Sequence, residues 1–156
     1  MSTPDTDPTQ PPGRIVVGVD GSPHSRQALL WALHQARLTG QPVEAVTSWS
    51  IPVDWGVGGV GNVLTIDWAG QAAATLAETV GSLGDEPGAD RVVQHVVMGH
   101  PARVLLDAAA DADLLVVGSR GRGGFAGMLL GSVSQHVVPR SPCPVVVVHG
   151  EERPAP

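Results

Sequence analysis

The sequence contains no lysine; all nine of its basic residues are arginine. A phosphate loop of the G-x4-G-K-[S/T] kind needs a lysine to reach the phosphates, so that solution is excluded. Schiff-base chemistry goes with it, as does a receiver-type phosphorylation site, which sets a lysine beside its aspartate. There is a single cysteine, Cys143, so neither an intrachain disulfide nor a CxxC zinc site can form. The six histidines show no HxxxH spacing for a metal. No uninterrupted apolar stretch approaches the ~18 residues of a membrane span. The N-terminus lacks the apolar core of a signal peptide, and the cytoplasm is the expected compartment. Positive charge is scarce as well: nine basic residues stand against 15 acidic ones, for a net charge of −6. Without a basic stretch, a nucleic-acid-binding surface is not expected.

What remains is the composition of one globular domain. Of 156 residues, 42% are hydrophobic and 15% charged. That is enough apolar material for a core and too little charge for a disordered chain. Residues 1–13, MSTPDTDPTQPPG, hold four prolines and two aspartates and read as a tail. Residues 150–156 read the same way. The domain is expected between them, over 14–149.

The chain alternates strand and helix signals. Ile15 to Val19 is short, apolar and β-branched, as in a strand buried on both faces. Ser22 can cap a helix that opens on Pro23 and closes at Gly40. A strand over Val43 to Trp49 follows, then a loop over 50–64 with four glycines. A helix is expected from Thr65 to Leu83, with Ile66, Ala69, Ala73, Leu76 and Val80 on one face. The segment GDEPGAD reads as a surface loop. A strand over Val92 to Val97, a helix opening on Pro101, and a strand over Leu114 to Val117 come next. A glycine-rich loop, a helix from Ser132 to Val138 and a last strand, Val145 to Val148, complete the order. Strands without polar alternation, separated by helices, predict an α/β fold with a parallel sheet covered on both faces. Ligands in such sheets bind at the carboxyl ends of the strands, where the strand order reverses.

The segment after Val117 carries the densest signal. It runs Gly118-Ser119-Arg120-Gly121-Arg122-Gly123-Gly124 and continues to Gly131-Ser132-Val133. Glycines permit positive φ and close approach of backbone to ligand. Successive N–H groups can wrap an anion, and the helix starting near Ser132 adds its own. Arg120 and Arg122 are the basic pair of the region. This is a polyphosphate cradle without lysine; the alternative is a loop whose glycines merely turn the chain.

The spacing Gly118-x2-Gly121-x9-Gly131-Ser132 is similar to the ATP-binding signature of the universal stress protein family, G-x2-G-x9-G-[S/T]. Further blocks match in order: Ile15-Val-Val-Gly-Val-Asp-Gly-Ser22, Gly99-His-Pro-Ala102, Asp113-Leu-Leu-Val-Val-Gly118, and Ser141-Pro-Cys-Pro-Val-Val-Val-Val148. The resemblance implies a Rossmann-like three-layer α/β/α domain with a five-stranded parallel sheet of order 3-2-1-4-5. It places Asp20 at the nucleoside end of ATP, with Gly18 and Gly21 on the same turn. Thr47 and Ser48 then lie at the base, flanked by Val117. Gly118, Ser119, Arg120, Gly121, Arg122, Gly123 and Gly124 wrap the phosphates, closed in by Gly131, Ser132 and Val133. Magnesium comes with the triphosphate. The resemblance also implies a homodimer that pairs the last strands, Val145–Val148, antiparallel.

The implied function is an ATP-binding protein of the stress response, acting through nucleotide-dependent shape or partners, with at most slow hydrolysis. An ATP-hydrolysing or adenylating enzyme on the same sheet is the alternative. Adenylating relatives carry a Ser-Gly-Gly-x-Asp-Ser loop where this chain has Asp20-Gly21-Ser22-Pro23. AMP or a cyclic nucleotide could replace ATP, and a nucleotide-free dimerisation module is a third reading. For Asp20 the local alternative is a turn residue feeding the helix. The histidines, His24 among them, are expected at the surface or in caps. Trp49 is expected at the base or in packing, Trp68 in packing, and Trp55 as a cap on the site or on a partner.

Overall fold

The structure is a computed structural model that describes residues 13–52, 66–121 and 129–150. Trp55, Arg122, Gly123, Gly124, both outer tails and most of the expected 50–64 loop lie outside the described residues. The chain begins with β1 (Ile15–Gly18), α1 (Pro23–Thr39) and β2 (Val43–Trp49). It continues through α2 (Trp68–Gly81), a short 3-10 turn (Ala89–Arg91) and β3 (Val93–Met98). Then come α3 (Pro101–Ala109), β4 (Leu114–Gly118), α4 (Ser132–Val137) and β5 (Val145–Val148). The strands form one five-stranded sheet of order β3-β2-β1-β4-β5, the order implied by the resemblance. Every pairing is parallel.

β1 is the centre. Val17 lies opposite Ala45 of β2 and Val116 of β4. Successive side chains of a strand point to opposite faces, and here both faces are filled. Ile15, Val17, Val43, Ala45 and Val116 pack on one side with Ala28, Leu29 and Leu33 of α1 and Leu76 of α2. Val16, Val46, Leu115 and Val117 pack on the other with Ala102, Val104 and Leu105 of α3 and Val137 of α4. Ile15, Val16 and Val17 are fully buried. Burial of each such side chain contributes about 1.5–3 kcal/mol, which is why an unbroken β-branched run belongs in this slot.

The helix ends follow local chemistry. The Ser22 hydroxyl accepts the Ser25 N–H at 3.2 Å, and Pro23 occupies the first turn. Gly40 closes α1 at φ 75°, with its N–H on Ala36 O at 2.7 Å.

α2 departs from expectation. It begins at Trp68, after Asp67 caps the Gly70 N–H at 2.9 Å, and it ends at Gly81 rather than Leu83. Its inward face is also rotated. Leu76 and Thr79 are buried, whereas Ala73, expected inside, is exposed. The small residues of this helix define a stripe too weakly for its phase to be read from sequence. β1 ends one residue earlier than expected, although the Val19 N–H still bonds Val46 O at 2.9 Å. β3 and β4 each extend one residue beyond expectation, to Met98 and Gly118. β3 is an edge strand with Val93 and Val97 exposed, so burial on both faces does not extend to it.

Gly40 has a left-handed backbone and open space where a Cβ would sit. Gly40→Ala therefore costs only the conformational penalty, about 1 kcal/mol. Urea unfolding should show that loss with an unchanged m-value.

Candidate functional site

β1 and β4 are neighbours whose chains leave toward opposite faces. α1, after β1, covers one side of the sheet; α4, after β4, covers the other. A crevice opens at such a reversal, outside the carboxyl ends of the strands. Here it is a cleft of about 680 Å³. It straddles the sheet edge. Pro101, Val104 and Leu105 of α3 and Ser132 and Val133 of α4 wall one side. Trp68, Gln71, Ala72 and Thr75 of α2, with Ser25 of α1, wall the other.

Most of the expected site residues meet here. Gly18 and Asp20 line the cleft after β1, and Thr47 and Ser48 line it at the end of β2. Val117, Gly118, Arg120 and Gly121 line it after β4, and Gly131, Ser132 and Val133 at the start of α4. Two do not line it. Gly21 sits behind Asp20, where φ 83° makes glycine the residue of the turn. Ser119 is 1% exposed and faces inward.

Ser119 is tied to three parts of the chain. Its N–H donates to Val148 O of β5 at 2.8 Å, and its carbonyl accepts the Gly131 N–H at 2.6 Å. Its hydroxyl lies 3.2 Å from His24 Nδ1, which also accepts the Gly150 N–H at 3.0 Å. An amide N–H can only donate, so Nδ1 is the acceptor and the ring hydrogen sits on Nε2. His24 is thus a half-buried junction rather than the surface or cap residue expected. Gly150, assigned to the tail by sequence, is held by it.

The signature glycines are needed for close approach and not for positive φ. Among the described residues, Gly118, Gly121 and Gly131 all lack a left-handed backbone. A Cβ on Gly118 would lie 2.8 Å from His24 Cβ and 2.9 Å from its carbonyl carbon. A Cβ on Gly121 would collide with Asp20 Oδ2. On Gly131 it would come within 3.3 Å of the backbone at Arg120 and Gly121. The described residues on either side of this loop, Gly118 to Gly121 and Gly131, are therefore packed tightly on α1, on Asp20 and on each other, along the cleft.

Asp20 is the turn residue, and it also lines the cleft. Its Oδ1 accepts the Ser22 N–H at 2.9 Å, which sets the turn into α1, and the residue is exposed on the cleft. Asp20 and Arg120 are the charged side chains among the described lining residues. The rest of the lining is apolar, hydroxyl, amide or backbone.

Sequence reasoning missed the walls. Trp68, Gln71, Ala72 and Thr75 repeat at i, i+3, i+4 and i+7 and so share one helix face. That spacing was visible, but only the position of α2 shows that the face meets a cleft. Pro101, Val104 and Leu105 form the first turns after β3, which the parallel topology brings to the ligand end. Trp49 also lines the cleft, and Trp68 does so instead of packing in the core.

Residues 12–149 match the model of the Universal stress protein family. The chain belongs to the universal stress protein family. A universal stress protein of Mycobacterium tuberculosis is 38% identical over 154 residues, which is 95% of this chain and 48% of that protein. The chain thus spans about half the length of the curated relatives it matches. Among solved structures, a universal stress protein in complex with cAMP is 33% identical, with a TM-score of 0.66, covering 89% of this chain and 98% of that one. The universal stress protein from Archaeoglobus fulgidus in complex with dAMP is 25% identical, with a TM-score of 0.63, covering 87% and 97%.

The packing at Gly118 yields a test. In Gly118→Ala the new methyl meets helix backbone that cannot swing aside. We expect a loss of about 1–3 kcal/mol by chemical denaturation, although φ there suits any residue. Stability equal to the wild type would show that the loop is not seated on His24.

Proposed function

We propose that this universal stress protein binds ATP in the cleft and acts in stress signalling through nucleotide-dependent shape or partner binding. The observation that carries the reading is the seat of the β4 loop. Three glycines of the signature line a crevice at the point of strand-order reversal, each in close contact with its surroundings, and at Gly118 a side chain would meet helix backbone. Relatives whose structures were solved in complex with cAMP and dAMP support a nucleotide as the ligand class.

The residues present fit such a ligand. The backbone at Gly118, Gly121 and Gly131, with Ser132 and Arg120, would hold the phosphates. Asp20 would accept hydrogen bonds from ribose hydroxyls, and Val117, Thr47 and Ser48 would border the base. Magnesium would be held chiefly by phosphate oxygens and water; no group of three metal-ligating side chains occurs among the described residues. The described lining offers hydrogen-bond donors, apolar walls and one carboxylate, Asp20; the reading is of binding with at most slow hydrolysis.

Calorimetric titration of ATP into ligand-free protein tests this. Asp20→Asn keeps the oxygen that serves the Ser22 N–H but removes the charge, so the fold should persist. Its affinity for ATP should fall about tenfold, the cost of about one good hydrogen bond to a charged group. No titration with wild-type protein would overturn the nucleotide reading.

The same reading includes a homodimer through β5. β5 is a sheet edge whose four valines are half-buried. Pro144 O accepts the Leu115 N–H of β4, and Val148 O accepts the N–H of Ser119 just beyond it. By alternation, the backbone groups of Val145 and Val147 face the open side. A proline is tolerated on an edge strand when its missing N–H faces outward. Val147→Pro should therefore keep the monomer folded and halve the mass seen by light scattering. A wild-type mass of one chain would sink the dimer.

A further inference from the structure

Two histidines that are far apart in the chain stand side by side where α3 meets α4. His100 is the residue before α3, and His136 lies in the last turn of α4. Their ring centroids are 6.5 Å apart, with the ring planes inclined at 55°. Both residues are exposed. The His100 ring does not cap α3, and neither ring makes a hydrogen bond among the described residues. Their backbones are held by what lies beneath. The His100 carbonyl accepts the Val104 N–H at 3.0 Å. Ala102 and Val104 of α3 share one buried apolar cluster with Val137, the neighbour of His136. The adjacent cations are occupied: Arg140 donates to the His136 carbonyl at 3.2 Å, and Arg103 pairs with Asp107 at 3.3 Å.

Two imidazoles on fixed supports, with their nitrogens unspent, form a chelating pair. Imidazole suits zinc, nickel and copper, whereas magnesium and calcium take oxygen ligands. Metal–nitrogen bonds of about 2.0–2.1 Å set two rings of one tetrahedral site about 5 Å apart, centre to centre. The rings here need to close by about 1–2 Å, which small rotations about χ supply in two exposed side chains. We propose that His100 and His136 bind a divalent transition-metal ion of the zinc class across the α3–α4 junction. Among the described residues no third ligating side chain joins them, so water completes the coordination. The ion would tie together two helices whose first turns wall the cleft at Pro101 and Ser132. It is distinct from a magnesium carried by nucleotide phosphates.

The test is calorimetric titration of Zn²⁺ alone into the untagged full chain without nucleotide, with melting temperature as a second readout. Zn²⁺ should bind the wild type and raise its melting temperature. His100→Ala and His136→Ala should each weaken Zn²⁺ about 100-fold, because the second ligand of a chelate acts at high effective concentration. Both variants should melt like the wild type when metal is absent, since neither ring holds a hydrogen bond. His95→Ala, on the edge strand β3, should bind Zn²⁺ as the wild type does. Unchanged Zn²⁺ affinity in either His100→Ala or His136→Ala would overturn the paired site, and so would a wild type that does not bind Zn²⁺. Neither result bears on the nucleotide reading.

Discussion

Three hydrogen bonds converge on one buried residue, Ser119, and the cleft depends on them. Its N–H holds the end of β5, its carbonyl holds the start of α4 through Gly131, and its hydroxyl meets His24 on α1. Each bond is worth only about 1 kcal/mol net, but a buried group left unpaired costs about 1–3 kcal/mol. The arrangement is therefore hard to alter piecemeal. It also explains the residue before it. Gly118 passes so close to the His24 backbone that no side chain fits. With the chain pinned at 118 and 119, the next residues are directed over the ends of the strands. Backbone groups at 120 and 121 then stand along the cleft opposite Asp20.

The junction also joins two regions that are distant along the chain. The Val148 carbonyl and the Gly150 N–H both end on the Ser119–His24 pair. The exit of the edge strand β5 is thus mechanically continuous with the loop that lines the cleft. On the proposed reading, a ligand that shifts this loop acts directly on the strand through which two chains pair.

The division of the cleft follows from period-two alternation at the strand ends. Val46 and Val117 belong to the face covered by α3 and α4, whereas Thr47 sits on the face covered by α1 and α2. A ligand lying over the sheet edge meets both. The two charged side chains, Asp20 and Arg120, lie on the loops after β1 and β4, where sugar and phosphate are proposed to sit. The wall beyond Thr47 is uncharged. That gradient suits a molecule with a charged end and a flat, neutral end, and it is achieved without a lysine.

By itself, the sequence pattern determined the parallel sheet; its strand order, and with it the loops that meet at the reversal point, was implied by the resemblance to the universal stress protein family. Continuous β-branched runs such as Ile15–Val17 can be satisfied only by burial on both faces, and Pro23, Gly40 and Pro101 mark helix ends through local backbone chemistry. Signature residues such as Gly118 and Gly121 were legible because their spacing is local to one loop. Tertiary structure alone decided what those glycines are for, since close packing on His24 and Asp20 depends on atoms about a hundred residues away in the chain. It alone turned the Trp68–Gln71–Thr75 face of α2 toward the cleft, because a stripe of small and polar residues has no phase until a sheet is placed beside it. It also made His24 a junction, because hydrogen bonds to Ser119 and Gly150 leave no trace in the spacing of the residues that make them.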